Sequence, residues 1–172
     1  MPKKPKGKLS HYDKSGQARM VDVSAKAATR REATASAFVA LSKAVLKALP
    51  QNPKGNPLEV ARIAGIAAAK RTAEWIPLCH PLPLTHIDVT ARLCENGVEL
   101  RSTVVATAQT GVEMEALVAV TAAALTVYDM CKALDKGMEL TDIYLVEKTG
   151  GKSGDFRREG PSKPAARRGR KQ

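Results

Sequence analysis

Two charged residues, Asp129 and Lys132, stand at the end of a long apolar stretch of the chain. If this stretch is helical, their three-residue spacing places the carboxylate and the ammonium on one face. Such a pair can hold and transfer a proton at about pH 7 when burial shifts the pKa of either group. The same spacing is also typical of charges that only cap a core helix, and the spacing alone favours that structural interpretation.

A second candidate is the adjacent pair Cys79 and His80, which lies within IPLCHPLPL, residues 76–84. Three prolines in this stretch exclude a helix and fix the direction of the His80 side chain. Zinc binding is not favoured, because no partner ligand follows at the short spacing of zinc sites. The pair could therefore be catalytic or could make structural hydrogen bonds, and both interpretations stay open.

The segment KTGGKSGDF, residues 148–156, combines three glycines with two lysines. It is not a P-loop, because Val146 stands where the first glycine belongs and no helix is predicted after the Lys-Ser pair. Its amides and lysines could wrap phosphates as a flexible flap, or the segment could be a mobile exit from the fold. Arg30 and Arg31 offer a similar choice, because neighbouring strand residues point to opposite faces and one could contact a ligand. A solvent-exposed edge is favoured for this pair.

The helix that would carry Asp129 is predicted over Thr110–Lys136. Ala, Leu, Met and Glu dominate it, no proline interrupts it, and Gly137 follows as a C-terminal cap. No charged residue lies between Glu115 and Asp129, so most of the helix surface should be buried. This uncharged run is too short to span a bilayer, which argues against a membrane protein.

The chain before this helix is predicted to contain two strands, two helices and a β-hairpin. The strands are Met20–Ser24 and Ala27–Thr34; one helix begins at Ser36 and stops at Pro50, and the other runs from Asn56 to about Trp75. Apolar residues alternate through His86–Leu93, and Asn96-Gly97 is typical of a two-residue turn. Folding there pairs Leu93 with Leu100, Val89 with Val104 and Ile87 with Ala106, and places Arg92 opposite Arg101. A last strand is predicted over Leu140–Glu147.

The order strand, helices, hairpin, helix and strand is that of an α+β, ferredoxin-like split β-α-β sandwich with an extra N-terminal strand. One antiparallel sheet should carry the helices on one face. The other face would then need a partner, so the pattern predicts a homo-oligomer.

The net charge of +11 is concentrated at the two ends of the chain. Residues 1–8 hold four lysines and no acid, and residues 157–172 hold seven Lys or Arg against one Glu, which leaves a net charge of +1 elsewhere. We therefore predict disordered basic tails at 1–9 and 157–172 around a single domain at 10–156. Three scattered cysteines and the lack of an apolar stretch behind the basic N-terminus predict a cytoplasmic protein without disulfides.

Six segments, in this order and spacing, resemble the cyclic pyranopterin monophosphate synthase family, which is protein C of molybdenum cofactor biosynthesis. They are MVDVSAKAATRREA, ARIAGIAAAKRT, IPLCHPL, TGVEMEAL, YDMCKA and KTGGKSGDF. The resemblance covers about residues 10–156. It implies a lyase with the ferredoxin-like fold that converts (8S)-3′,8-cyclo-7,8-dihydroguanosine 5′-triphosphate to cyclic pyranopterin monophosphate and diphosphate. It also implies a hexamer, a trimer of dimers, with sites at the dimer interfaces.

The resemblance also assigns the site residues. Asp129 would be the catalytic carboxylate and Lys132 its partner in proton transfer. Substrate contacts would come from Leu78, Cys79, His80, Glu113, Met114 and Glu115, and phosphate handling or assistance to the chemistry from Arg31, Lys54 and Lys148. None of these positions departs from the family pattern, so an active member is expected.

No cofactor or resident metal is expected, although Mg²⁺ could accompany the triphosphate as a counter-ion. The alternative function is a ferredoxin-like nucleic-acid-binding module with basic tails, since such sheets commonly bind RNA. These modules stack bases on aromatic residues of the sheet, and the hairpin strands predicted here carry none. No specific nucleic acid and no membrane are therefore expected as partners.

Overall fold

The computed structural model describes residues 11–13 and 15–159 and has the predicted α+β, ferredoxin-like fold. Its strands are β1 (Thr29–Ala40), β2 (Leu84–Cys94), β3 (Gly97–Ala108), β4 (Glu139–Thr149) and β5 (Phe156–Arg157). Its helices are α1 (Lys43–Ala48), α2 (Pro57–Ala69), α3 (Thr72–Trp75) and α4 (Glu113–Cys131), with a 3₁₀ turn at Leu49–Gln51. The strands form one antiparallel sheet in the order β2-β3-β1-β4-β5. Residues 1–9 and 160–172 of the predicted basic tails lie outside the described residues. Arg157, which was also predicted to belong to the disordered C-terminal tail, lies in β5.

The central strand β1 is longer than the sequence predicted. Ala35, Ala37 and Val39 occupy every second position of this strand and are fully buried. They lie on the face of the sheet against which α4 packs. Strands β3 and β4 bond to the two edges of β1 and take up its backbone hydrogen bonds. The helix predicted to begin at Ser36 is therefore wrong over its first residues, and α1 begins only after Ser42.

The strand predicted at Met20–Ser24 is also wrong, because this segment turns. Asp22 accepts hydrogen bonds from the amide and the hydroxyl of Ser24, at 2.9 and 2.7 Å. An aspartate side chain bonded two residues ahead stabilises a turn rather than a strand. The extra strand of this fold lies instead after the last predicted strand, where β5 pairs with the end of β4.

The helix prediction from Asn56 is confirmed, with one break. Asn56 accepts hydrogen bonds from the amides of Leu58 and Glu59, and Pro57 occupies the first helical position. The helix α2 ends at Ala69, and α3 follows as a separate turn that reaches Trp75. The IPLCHPLPL stretch then contains no helix, as its prolines predict.

The β-hairpin of β2 and β3 is confirmed, but its register differs by two residues from the predicted one. Leu93 pairs with Val98, Val89 with Ser102 and Ile87 with Val104. Gly97 is not a turn residue: it lies in β3, where a side chain would collide with the Val39 carbonyl and the Phe38 ring. A shift of two keeps every side chain on its predicted face. It also places Arg92 opposite Glu99, with which it forms an ion pair, rather than opposite Arg101.

The long helix α4 is the core of the molecule, although it is shorter at both ends than predicted. It packs against α2 and against β1, β3 and β4. Gly65 of α2 makes this packing close, since a Cβ there would lie 2.9 Å from the Ala119 carbonyl oxygen. By length and composition alone α4 could cross a membrane (19 residues, mean hydropathy 1.4), but 61% of it is buried inside the fold. A buried core helix meets the same criterion.

Candidate active site

A cavity of about 420 Å³ opens at the start of α4, within the usual size range of ligand pockets. Four segments line it: the chain before β1 together with the start of β1, the proline-rich loop after α3, the first turn of α4, and the β4–β5 loop. Eight of the eleven predicted site residues lie here: Arg31, Leu78, Cys79, His80, Glu113, Met114, Glu115 and Lys148. The fold therefore brings together residues that are more than 100 positions apart in the sequence.

The first turn of α4 supplies the acidic wall of this cavity. Glu115 is only 4% exposed, and its burial raises the pKa of its carboxyl to about 7. A hydrogen bond from its own backbone amide lowers this pKa, and the charge of the nearby Glu113 raises it further. A carboxyl with this pKa is present in both protonation states at neutral pH. It can therefore donate or accept a proton during a reaction.

Cys79 lines the same side of the cavity, although it is less buried than Glu115. Burial, and then the charge of Glu115, raise the pKa of its thiol. A thiol with a raised pKa stays protonated at neutral pH and is a poor nucleophile. Cys79 is therefore suited to contact a ligand and not to attack it.

The basic wall comes from the sheet. Lys148, near the end of β4, lies with its Nζ 3.3 Å from Glu113 Oε1. Arg31, near the start of β1, donates from Nε to the carbonyl of Ala108 at 3.4 Å. These contacts direct two cationic side chains into the cavity beside two carboxylates, so the cavity can neutralise an anionic ligand and exchange protons with it.

Two parts of this cavity contain residues that the family resemblance did not assign to the site. The segment before β1 contributes His11, Val21, Val23 and Lys26, and the β4–β5 loop contributes Lys152 and Ser153. The loop is the glycine segment KTGGKSGDF, which proves to be the connection of a β-hairpin because Lys148 pairs with Phe156. The sequence signalled this loop by its glycines and lysines. Lys26 lies between the two predicted strands, and although it belongs to the motif MVDVSAKAATRREA, it was not assigned as a site residue.

The other three predicted residues form a separate cluster at the far end of α4. Lys132 Nζ lies 2.7 Å from Asp129 Oδ1, as their shared helix face predicts. The pair is exposed, with side chains 50% and 62% accessible. The hydrogen bond and charge of Lys132, with the charge of Lys54, lower the pKa of Asp129, and the same bond and the Asp129 charge raise the pKa of Lys132.

Lys54 reaches this cluster from the loop between the 3₁₀ turn and α2. Its Nζ donates to the Asp129 carbonyl at 3.4 Å. Asn52 fixes the loop, because its side chain donates to the Met130 carbonyl at 3.0 Å and accepts from the Lys54 amide at 2.9 Å. Exposed apolar residues adjoin the cluster, among them Trp75 and Leu125, and they line a shallow groove between α2, α3 and α4.

One chain does not bring the two groups of residues together. Glu115 and Asp129 are 14 positions apart on the unbroken helix α4, which separates them by about 21 Å along its axis. Within residues 11–13 and 15–159, no three His, Cys, Asp or Glu side chains are grouped as a metal site would require.

Comparison with known proteins places this geometry in context. The sequence pattern of the MoaC family matches residues 20–151. The chain is 54% identical over 154 residues to a protein of Parvibaculum lavamentivorans (87% of this chain, 96% of that one). It is 57% identical over 155 residues to one of Heliobacterium modesticaldum (88% and 98%), and 52% identical over 161 residues to one of Streptomyces griseus (92% and 91%). All three relatives carry the name cyclic pyranopterin monophosphate synthase.

Proposed function

This chain belongs to the MoaC family, and we propose that it is a cyclic pyranopterin monophosphate synthase of molybdenum cofactor biosynthesis. The enzyme is a lyase that converts (8S)-3′,8-cyclo-7,8-dihydroguanosine 5′-triphosphate to cyclic pyranopterin monophosphate and diphosphate. The observation that carries the proposal is the cavity at the start of α4. It joins a carboxyl with a pKa of about 7 to cationic side chains.

The chemistry of the reaction matches this combination. A guanine-derived ring is opened, a pyran ring is closed, and a cyclic phosphate forms as diphosphate leaves. These steps need groups that donate and accept protons at several atoms, and cations that neutralise the phosphates. Glu115 supplies the first kind of group, with His80 beside it, and Arg31 and Lys148 supply the second. Leu78, Cys79, Glu113 and Met114 are proposed to contact the ring system.

We assign Asp129 and Lys132 as the catalytic pair. Because this pair lies at the opposite end of α4 from Glu115, the assignment implies an active site built from two chains. Asp129 lies about 21 Å from Glu115 along α4, which is too far for one ring system to contact both. A second chain whose α4 begins near the first chain's Asp129 removes this difficulty. The exposed groove beside Asp129, with Trp75 and Leu125, supplies an apolar surface for such a partner. We propose a homo-oligomer, a hexamer built as a trimer of dimers, with Lys54 in the same shared site.

Three further elements complete the proposal. Residues 10–156 form the single catalytic domain, to which Arg157 adds the last residue of β5, and the remaining residues of the basic tails take no part in catalysis. No resident cofactor is used, and Mg²⁺ accompanies the triphosphate as a counter-ion. The enzyme works in the cytoplasm, in keeping with three free cysteines among the described residues.

Direct turnover tests the function. The purified chain is incubated with the cyclised triphosphate, and the pyranopterin and diphosphate are measured by mass spectrometry. We expect both products in equal amounts, and no products from the Asp129→Asn variant. Asp135→Asn is the matched control, because Asp135 is a nearby, partly exposed residue whose carboxylate bonds only the Gly137 amide among the described contacts. Lack of both products from the wild-type chain would refute the assignment.

Mixed oligomers test the two-chain site. Chains carrying Asp129→Asn and chains carrying Glu115→Gln, each inactive alone, are co-expressed with different affinity tags and purified through both. A mixed dimer holds one site with both changes and one with neither, so we expect partial recovery of turnover. Inactive mixed dimers, with their composition verified by native mass spectrometry, would exclude a shared site built from these residues.

A further inference from the structure

Gly111 lines the cavity between the end of β3 and the first turn of α4. Its φ is not positive, so its backbone conformation does not require glycine. A Cβ at this position would nevertheless collide with the Glu113 carboxylate. Apart from the chain neighbours of Gly111, the three heavy atoms nearest to such a Cβ all belong to this carboxyl group, whose carbon would lie at 2.8 Å. The missing side chain of Gly111 therefore makes room for a side chain of the site.

Gly111 differs in this respect from Gly65, the glycine that packs α2 against α4. A Cβ at Gly65 would meet the Ala119 carbonyl oxygen, which belongs to a buried backbone. At Gly111 the neighbour is the end of a flexible side chain. The backbone beside it is fixed, because Val112 is only 1% exposed. A side chain at position 111 would therefore displace the Glu113 carboxylate and leave the helix in place.

The position of the Glu113 carboxylate affects two other groups of the cavity. Its Oε1 lies 3.3 Å from Lys148 Nζ, and the two side chains are 31% and 22% exposed, so water screens this ion pair only in part. Burial is the main cause of the raised pKa of Glu115, and the charge of Glu113 adds to the rise. One carboxylate thus holds a cation of the sheet and influences the protonation of the buried acid.

We propose that Gly111 is a positioning residue, because the space left by its missing side chain holds the Glu113 carboxylate beside Lys148 and near Glu115. The inference rests on the proposed function, in which Glu113 contacts the ring system and Glu115 exchanges protons with it. Gly111 acts through Glu113 and needs no contact with the substrate. A larger residue would push the carboxylate, which is already 31% exposed, toward solvent and away from Lys148.

A double-mutant cycle tests this dependence on Glu113. Gly111→Ala should lower kcat/KM for the cyclised triphosphate roughly tenfold, since displacement of a group that contacts the reacting ring is costly. In the Glu113→Ala background no carboxylate remains to be displaced, so the same change should lower kcat/KM by less than about twofold. Gly137→Ala is the matched control and should turn over like the wild type. Gly137 lies outside the cavity, and a Cβ there would lie 3.1 Å from Asp135 Oδ1.

A titration without substrate supplies a readout that does not depend on activity. The pKa of Glu115 is followed by carbon-13 NMR of its carboxyl group in the full chain. Gly111→Ala and Glu113→Ala should both lower this pKa, because a neighbouring negative charge is moved or removed. The double variant should lower it no further than Glu113→Ala does. Besides Lys148, the other ionisable side chains of the cavity are the same in every variant: His11, Lys26, Arg31, Glu32, Cys79, His80 and Lys152.

The outcomes separate this inference from the proposed function. An equal loss of kcat/KM in both backgrounds, or an unchanged pKa of Glu115 in Gly111→Ala, overturns the inference while wild-type turnover leaves the proposed function standing. A Gly111→Ala chain that does not fold, and that Glu113→Ala does not restore, also overturns the inference, because the glycine would then serve the backbone. The expected changes in the pKa of Glu115 without wild-type turnover have the opposite meaning: the positioning role stands and the proposed function fails.

Discussion

The buried carboxyl of Glu115 should make the stability of this protein depend on pH in a direction opposite to that of most carboxylates. Its pKa is about 7 in the folded chain, against an ordinary value of 4.5, chiefly because burial penalises the charged form. The folded state therefore binds the proton more tightly than the unfolded state does. The stabilisation is complete below about pH 4.5, and it is lost as the pH rises through 7.

The size of the effect follows from the two pKa values. The difference between 4.5 and about 7 corresponds to about 3 kcal/mol, at 1.36 kcal/mol per pKa unit. Glu115→Gln keeps the size of the side chain but cannot ionise. At pH 8 the variant should therefore be more stable than the wild type by about 3 kcal/mol, or roughly 6–12 °C in Tm. At about pH 4 the two proteins should unfold at nearly the same temperature, because Glu115 is then neutral in both states.

Differential scanning calorimetry at several pH values measures this difference directly. The matched control is Glu113→Gln, which changes a neighbouring carboxylate that is 31% exposed and paired with Lys148. This variant loses an ion pair with Lys148 and also removes a minor repulsion of Glu115, so at pH 8 it should gain much less stability than Glu115→Gln does. Equal pH dependence of Tm in wild type and Glu115→Gln, or an equal gain in the control, would refute the argument from burial.

Two other predictions concern the catalytic pair and the core. Asp129→Asn and Lys132→Ala should each abolish turnover with an unchanged circular dichroism spectrum, because the pair is exposed and supports no described core contact; an unfolded variant would favour a capping role. Gly65→Ala should lower the free energy of unfolding by about 1–2 kcal/mol in denaturant titrations, since the new Cβ would lie 2.9 Å from the Ala119 carbonyl oxygen. A more stable variant would show that the gain in helix propensity exceeds the cost of this contact.

The elements that could be predicted from the sequence are those set by local signals. Asn56 and Pro57 mark the start of α2, and the uncharged run of α4 requires burial. The errors lie where contacts distant in sequence decide the structure. The stretch after Ser36 has an acceptable helical pattern, yet β3 and β4 extend β1 through it as far as Ala40. Gly97 is a good turn residue, yet its contact with β1 moves the turn and shifts the register by two.

In the candidate site, too, some residues could be identified from the sequence and others only from contacts between distant segments. Family motifs identified eight residues that the structure gathers in one cavity, although no spacing rule connects Arg31 with Glu115 or Lys148. Lys26 lies within a family motif but was not assigned as a site residue, and His11 lies outside the motifs; only the fold shows that their segment passes the cavity. Residue type alone could not distinguish Lys26 from the many surface lysines.

The helix α4 sets the geometry of catalysis as well as that of the core. Its first turn carries the buried Glu115, its last turn carries the exposed Asp129, and the run between them packs on the sheet and on Gly65 of α2. A helix packed along its length cannot bend to bring its ends together. The separation of the two groups is therefore a fixed property of the fold. If both take part in one reaction, the second chain is part of the active site itself, and dissociation of the dimer should abolish catalysis even where each chain stays folded.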